Sequence, residues 1–202
     1  MTGTTMTTQA TNDQRENTRW IDRYAHVLCP GDLVLDLGCG TGADTIELAA
    51  LGCRVVALDF DPARVGQVPA EAATLRLSAD LDGQLPFIDG AFDTVMASLS
   101  LHYLTSEQTS RAILDIHRIL APDGYLLCRV NAIGDTNFGY GQGEEVEPSV
   151  FRHPDGHLKR FFNEPMIRRF LSPCFTLLST RPRTILQRGI EKQTIECLAR
   201  RR

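Results

Sequence analysis

The stretch VLDLGCGTGAD, Val34 to Asp44, decides the fold. An apolar run ends at Leu37, glycines stand at 38, 40 and 42, and a helical pattern runs from Thr41 to Leu51. A strand that turns into a helix through such glycines is the opening βα unit of a parallel sheet. Glycine tolerates positive φ there and lets a ligand approach the backbone closely. Asp36, two residues before Gly38, is expected to point its carboxylate toward the ligand crevice at the strand's C-terminal end.

The alternation continues outward. RVVALDF (Arg54 to Phe60), TLRLSA (Thr74 to Ala79), FDTVMAS (Phe92 to Ser98) and GYLLCRV (Gly124 to Val130) read as strands, and 62–72 and 106–120 as helices. In the second helix Ser106 can cap the start, Ile113, Ile116, His117 and Leu120 share a face, and Pro122 stops the chain. A further helix is expected over 17–28 and a short one over 164–171. FTLLSTR (Phe175 to Arg181) and TIECLAR (Thr194 to Arg200) are the closing strands. Between them and the fifth strand lies a glycine-bearing stretch, 131–159, too long for a plain connector.

The 202 residues suit one domain, with 43% apolar residues and a net charge of −4. Residues 1–151 carry 9 basic and 21 acidic side chains, and 152–202 carry 12 and 4. The basic last quarter admits a nucleic-acid or anion partner, but a solvated face offsetting an acidic body is the preferred reading. Six scattered cysteines with no C-x-x-C pair fit free thiols in a cytoplasmic protein and predict no metal site. Residues 1–16, rich in threonine and without an apolar run, are expected to be a disordered leader, and 17–202 a single domain. No stretch approaches the ~20 apolar residues of a membrane span.

Spacing alone leaves the ligand open. Gly38, Gly40 and Ala43 also satisfy a dinucleotide fingerprint, and Asp59 follows Gly38 by 21 residues, where a ribose-binding acid belongs. Asp36 favours S-adenosylmethionine over a nicotinamide cofactor. A pyrophosphate would meet a like charge costing roughly 1 to 4 kcal/mol at 4 Å, whereas an ammonium and a sulfonium would gain.

With these residues in view the chain resembles the class I S-adenosylmethionine-dependent methyltransferases, whose first motif matches Leu35-Asp36-Leu37-Gly38-Cys39-Gly40-Thr41-Gly42. ALDFDP (57–62), SADLDGQLPFIDGAFDTVMAS (78–98) and RILAPDGYLLCRV (118–130) match later blocks in order, with Asp123 in place of a glycine. The resemblance implies a Rossmann-like three-layer α/β sandwich with a seven-stranded, mostly parallel sheet and an antiparallel last strand. It implies S-adenosylmethionine as cofactor and S-adenosylhomocysteine as product. Cofactor contacts then fall to Asp36, Gly38, Cys39, Gly40 and Gly42, to Asp59 on the ribose and Phe60 on the adenine. Asp80 and Leu81 would meet the adenine edge, and Ser98 would lie beside the methyl group.

On the acceptor side, His102, just past the fourth strand, is the expected general base. Tyr103 beside it is read chiefly as core, with pocket lining as the alternative. Residues 131–159 are expected to form a glycine-hinged lid, with Phe138 and Tyr140 in an aromatic wall, His153 and His157 near a turn, and Trp20 and Tyr24 closing the other side. The expected reaction is methyl transfer to a small-molecule acceptor by a monomer or homodimer. The alternatives are an RNA-modifying methyltransferase and a cofactor-binding regulatory protein without turnover.

Overall fold

A computed structural model describes residues 20–202. The expected leader, 1–16, and positions 17–19 of the expected first helix lie outside the described residues. From Trp20 to Val27 the chain winds as a 3-10 helix rather than an α-helix. The sheet then builds from β1 (Leu33–Leu37), α1 (Ala43–Ala50), β2 (Arg54–Asp59), α2 (Pro62–Val65), β3 (Leu75–Ser78), β4 (Phe92–Ser98), α3 (Ser106–Ile119) and β5 (Leu120–Asn131). Three short strands follow, β6 (Glu144–Glu147), β7 (Val150–Arg152) and β8 (Leu158–Arg160), then α4 (Glu164–Leu171) and the long pair β9 (Phe175–Gln187) and β10 (Ile190–Arg201).

The main sheet has the order β3-β2-β1-β4-β5-β10-β9. Strands β1 to β5 run parallel, and β10 pairs antiparallel with both β5 and β9. This is the expected seven-stranded architecture. Successive residues alternate between two cores, as the strand period of two requires. Leu35, Val95, Leu126 and Cys197 pack under α3 and α4. Val34, Met96, Leu127 and Leu198 pack under Trp20, Ile21, Tyr24 and Leu48 of α1. A capping box, Thr105 with Gln108, starts α3 in place of the expected Ser106 cap.

Two expected elements are corrected. The helix from Pro62 stops after one turn instead of reaching Ala72, because Gly66 is a poor helix former and Pro69 has no N–H to donate. Within the stretch 131–159, expected without regular structure, residues from Glu144 onward form a three-stranded antiparallel sheet that ends at Arg160. Tyr140, Phe151 and Phe161 pack edge to face beneath it at 5.3 to 6.0 Å. Arg160, fully buried, fastens this sheet to the start of α3. It donates to the Leu104 carbonyl, the Ser106 hydroxyl and Glu147, while Glu147 accepts the Ser106 backbone N–H.

Candidate active site

The turn after β1 places Gly38, Gly40 and Gly42 at φ of +83°, +56° and +91°. Each glycine has a different spatial duty. A Cβ on Gly38 would stand 2.3 Å from the Cβ of Ser100, and one on Gly42 3.0 Å from Val68, whereas one on Gly40 would meet nothing within 4 Å. Gly40 therefore opens on a bare cradle. The Leu58 carbonyl accepts the N–H groups of Gly38 and Cys39, and the Gly42 N–H reaches back to Cys39. Asp59, at the end of β2 and buried, accepts the Gly40 N–H at 2.9 Å through one oxygen and the Asp61 N–H at 3.1 Å through the other. A carboxylate offers about four acceptor positions, so both oxygens keep lone pairs for further donors.

Asp36 lies beneath the turn rather than pointing openly into the crevice. It is fully buried and accepts the Thr45 hydroxyl at 2.5 Å. Burial, helped by the Asp44 and Asp59 carboxylates, pushes it up to about 7. Burial and the same acidic neighbourhood push the Cys39 thiol up to about 12, which keeps it protonated and not a nucleophile. Phe60 is 62% exposed at the mouth of β2. Asp80 is exposed and caps the next turn by accepting the Asp82 N–H, and Leu81 is half-buried.

At the end of β4 the Ser98 hydroxyl accepts from Arg129, whose guanidinium lies 4.7 Å over the Trp20 ring. Trp20 donates its indole N–H to Asp44 at 3.0 Å. Trp20 is thus a buried part of the frame, linked through Asp44 and Arg129 to the end of β4. Tyr24 packs edge to face on Trp20 at 5.9 Å. Its hydroxyl donates to buried Glu196, which pairs across the sheet with Arg129. Tyr103, read from sequence chiefly as core, is 52% exposed, because the 3-10 turn Leu101–Tyr103 buries Leu101 and His102 instead.

His102 stands in a buried polar group that sequence reasoning largely missed. Burial, then the nearby Lys192 and Lys159, hold its pKa well below the ordinary 6.5, so the ring is uncharged at neutral pH. Its Nδ1, both side-chain atoms of Asn131 and both oxygens of Asp135 have no hydrogen-bond partner among the described residues, and nor does the Ser100 hydroxyl. Each such buried group costs about 1–3 kcal/mol when left unmade. Lys192 is buried on β10, 4.0 Å over the Phe138 ring and 3.8 Å from Asp135, and burial pushes it down to about 8. Lys159 donates to the Phe138 carbonyl at 2.8 Å, and burial lowers its pKa too. The small sheet, the turn after β4 and the ends of β5 and β10 bring these residues together.

The remaining expected residues sit at the margin. Tyr140 belongs to the small sheet's aromatic core. The His153 ring packs against Gly139, and His157 is exposed at the β7–β8 turn. Among the described residues no cluster of His, Cys, Asp or Glu could hold a metal, and all six cysteines are free. No described helix is long and apolar enough to cross a membrane. A surface groove of about 550 Å³ lies elsewhere, between Arg23 and Tyr24 and strands β9 and β10.

Residues 35–128, from β1 into β5, match the family model described as a methyltransferase domain. The matched stretch is 94 of the 202 residues. It is 39% identical over 97 residues to an uncharacterized methyltransferase of Synechocystis sp., covering 48% of this chain and 46% of that protein. It is 38% identical over 107 residues to the demethylmenaquinone methyltransferase of Mycolicibacterium vanbaalenii, covering 52% and 44%. The matched stretches thus span less than half the length of these relatives.

Among solved structures, an S-adenosylmethionine-dependent methyltransferase from Methanosarcina mazei superposes with a TM-score of 0.75 at 21% identity, over 91% of this chain and 98% of that one. The 1,6-didemethyltoxoflavin-N1-methyltransferase of Burkholderia thailandensis, with bound 1,6-didemethyltoxoflavin and S-adenosylhomocysteine, gives 0.68 at 24% identity, over 88% and 74%.

Proposed function

We propose that this chain transfers a methyl group from S-adenosylmethionine to a small-molecule acceptor. One observation carries the reading. Gly40, in left-handed backbone with open space at its Cβ position, stands against a buried Asp59 that keeps lone pairs free. A ribose diol donates two hydrogen bonds, and a buried carboxylate at a βα crevice suits it. The residues therefore fit the cofactor. Asp59 would hold the ribose, Phe60 and Leu81 would flank the adenine, Asp80 would meet its edge, and the turn from Gly38 to Gly42 would carry the remainder.

When bound, that cofactor supplies a methyl group on a cationic sulfur, open to in-line displacement. The chain's own task is alignment and exclusion of water. Trp20, Asp44 and Arg129 fix the end of β4 at Ser98, and the small sheet, held by Arg160, covers the acceptor side. His102, uncharged at neutral pH, is the proposed proton acceptor when the nucleophile arrives protonated. Demethylmenaquinone, the substrate in a relative's name, and the bound heterocycle of a structural neighbour both favour small molecules.

An RNA acceptor is the weaker reading. Much of the basic last quarter is already committed to acids, since Arg160, Arg168, Arg183, Lys192 and Arg200 face Glu147, Glu164, Glu196, Asp135 and Asp123.

Calorimetry with S-adenosylhomocysteine and NAD tests the cofactor. Tight binding of the first and none of the second is expected, and the reverse would overturn the reading. Mass spectrometry after incubation with isotopically labelled cofactor and metabolite pools identifies the acceptor. His102→Ala is expected to lower turnover while cofactor affinity stays near the parent's, and unchanged turnover would remove it as base.

A further inference from the structure

The polar group around His102 has a chemical preference. Five stretches of chain converge on it, contributing His102 after β4, Asn131 at the end of β5, Asp135 and Phe138 beyond it, Lys159 on β8 and Lys192 on β10. His102, Asn131, Asp135 and Lys192 are each at least 97% buried. Native proteins rarely leave buried polar atoms unmade, and such atoms mark a function or a bound molecule. Here the whole amide of Asn131 and Nδ1 of His102 have no hydrogen-bond partner among the described residues, and Asp135 meets Lys192 only as an ion pair at 3.8 Å.

Charge decides the class of ligand. Two ammonium groups, on Lys159 and Lys192, face a single buried carboxyl, Asp135. Burial disfavours the charged form of all three, raising the carboxyl's pKa and lowering those of both lysines, so the count of two ammonium groups to one carboxyl decides. His102 is uncharged, Arg129 is engaged by Asp44 and Ser98, and Asp155, which also acts on Lys159, stands exposed on the β7–β8 turn where water screens it. The enclosed group thus holds surplus positive charge, which an incoming anion would balance. Phe138, beneath Lys192, and the half-exposed Tyr103 add ring surface for a flat or apolar body.

We propose that this is the acceptor site and that it takes a small organic anion, its carboxylate or phosphate held by Lys159 and Lys192 and its polar groups met by Asn131 and His102. The proposal rests on the methyltransferase reading and names the acceptor's chemistry. The amide of Asn131 can donate and accept at once, which suits a hydroxyl or amine beside the anion. Nδ1 of His102 completes the set.

Calorimetry on the full chain separates the two claims. S-adenosylhomocysteine is titrated first, and its failure to bind would remove the methyltransferase reading and this proposal with it. Benzoate, phenyl phosphate and neutral benzamide are then titrated into the saturated protein. At least one of the two anions is expected to bind about tenfold more tightly than benzamide, and which anion does so distinguishes carboxylate from phosphate. Lys192→Met, which keeps the apolar stem, should abolish that preference while S-adenosylhomocysteine affinity stays within about twofold. Lys192→Arg should retain part of it. With S-adenosylhomocysteine bound, failure of both anions to bind, benzamide binding as tightly as either, or a preference that survives in both Lys192→Met and Lys159→Met would overturn the anion site.

Discussion

The Asp59 carboxylate at the end of β2 accepts the backbone N–H of Gly40 at 2.9 Å, which joins the second strand to the turn that follows the first. The residue proposed to bind ribose therefore also shapes the cradle. Asp59→Ala should lose two hydrogen bonds to an ionised group, each worth about 1.5–3 kcal/mol in favourable cases, and the ribose contact besides. A lower Tm together with at least about tenfold weaker S-adenosylhomocysteine binding is expected. Parent-like affinity in a folded variant would contradict the site map.

Gly38 and Gly40 should part company under the same substitution. Gly38→Ala meets both left-handed backbone and a Cβ at 2.3 Å from Ser100, for about 2–4 kcal/mol of lost stability. Gly40→Ala pays about 1–2 kcal/mol for its φ alone and fills the cradle. Thermal melts should therefore rank Gly38→Ala as the less stable, while calorimetry finds Gly40→Ala folded and poor in cofactor binding.

Asp36 makes stability depend on pH with a definite sign. Its folded pKa is about 7, against the ordinary 3.8. Between those values the native state holds a proton the unfolded chain has lost, so stability falls as pH rises. Below about 4 the carboxyl contributes nothing, and above about 7 the full penalty persists, at most about 4 kcal/mol. In Asp36→Asn the Tm gain over the parent should grow from pH 4 to 7 and then level. A gain independent of pH would sink the assignment.

Glu196 ties the first described segment to the last strand. Buried on β10, it accepts from Arg23 and from Tyr24 and lies 3.6 Å from Arg183. Because both arginines are partly exposed, water screens what the pair loses. Glu196→Gln should cost about 2–3 kcal/mol, below the 3–5 kcal/mol of a fully buried pair. Urea unfolding checks this as a lower midpoint with an unchanged slope.

The proposed cofactor half of the molecule was legible because its signals are local. A strand run, three glycines and an acid at fixed spacing define one turn, and Asp59 and Gly40 meet where that spacing says they should. The acceptor half depends on contacts far apart in sequence. Lys192, Thr194 and Glu196 stand in a polar run with Glu191 and Gln193, which reads as exposed, yet the structure buries all three, beneath the Trp20 segment and beside Asp135. Nothing near Tyr24 in sequence announces its partner, Glu196. The β9–β10 hairpin turns at Arg188 and Gly189, both at positive φ, and an arginine there lacks the usual Asn-Gly or Asp-Gly signal. Pro182 hid the length of β9, although an edge strand tolerates proline. The 131–159 stretch reads as a loop because its strands are only three or four residues long.

The hydrogen bonds described at the glycine turn come from Leu58, Asp59 and Cys39, and those residues precede 131–192 in the chain. The proposed cofactor turn and, His102 and Tyr103 apart, the proposed acceptor residues are therefore written in separate stretches of the chain. Substitutions among the residues beyond 131 would leave the hydrogen bonds of that turn in place.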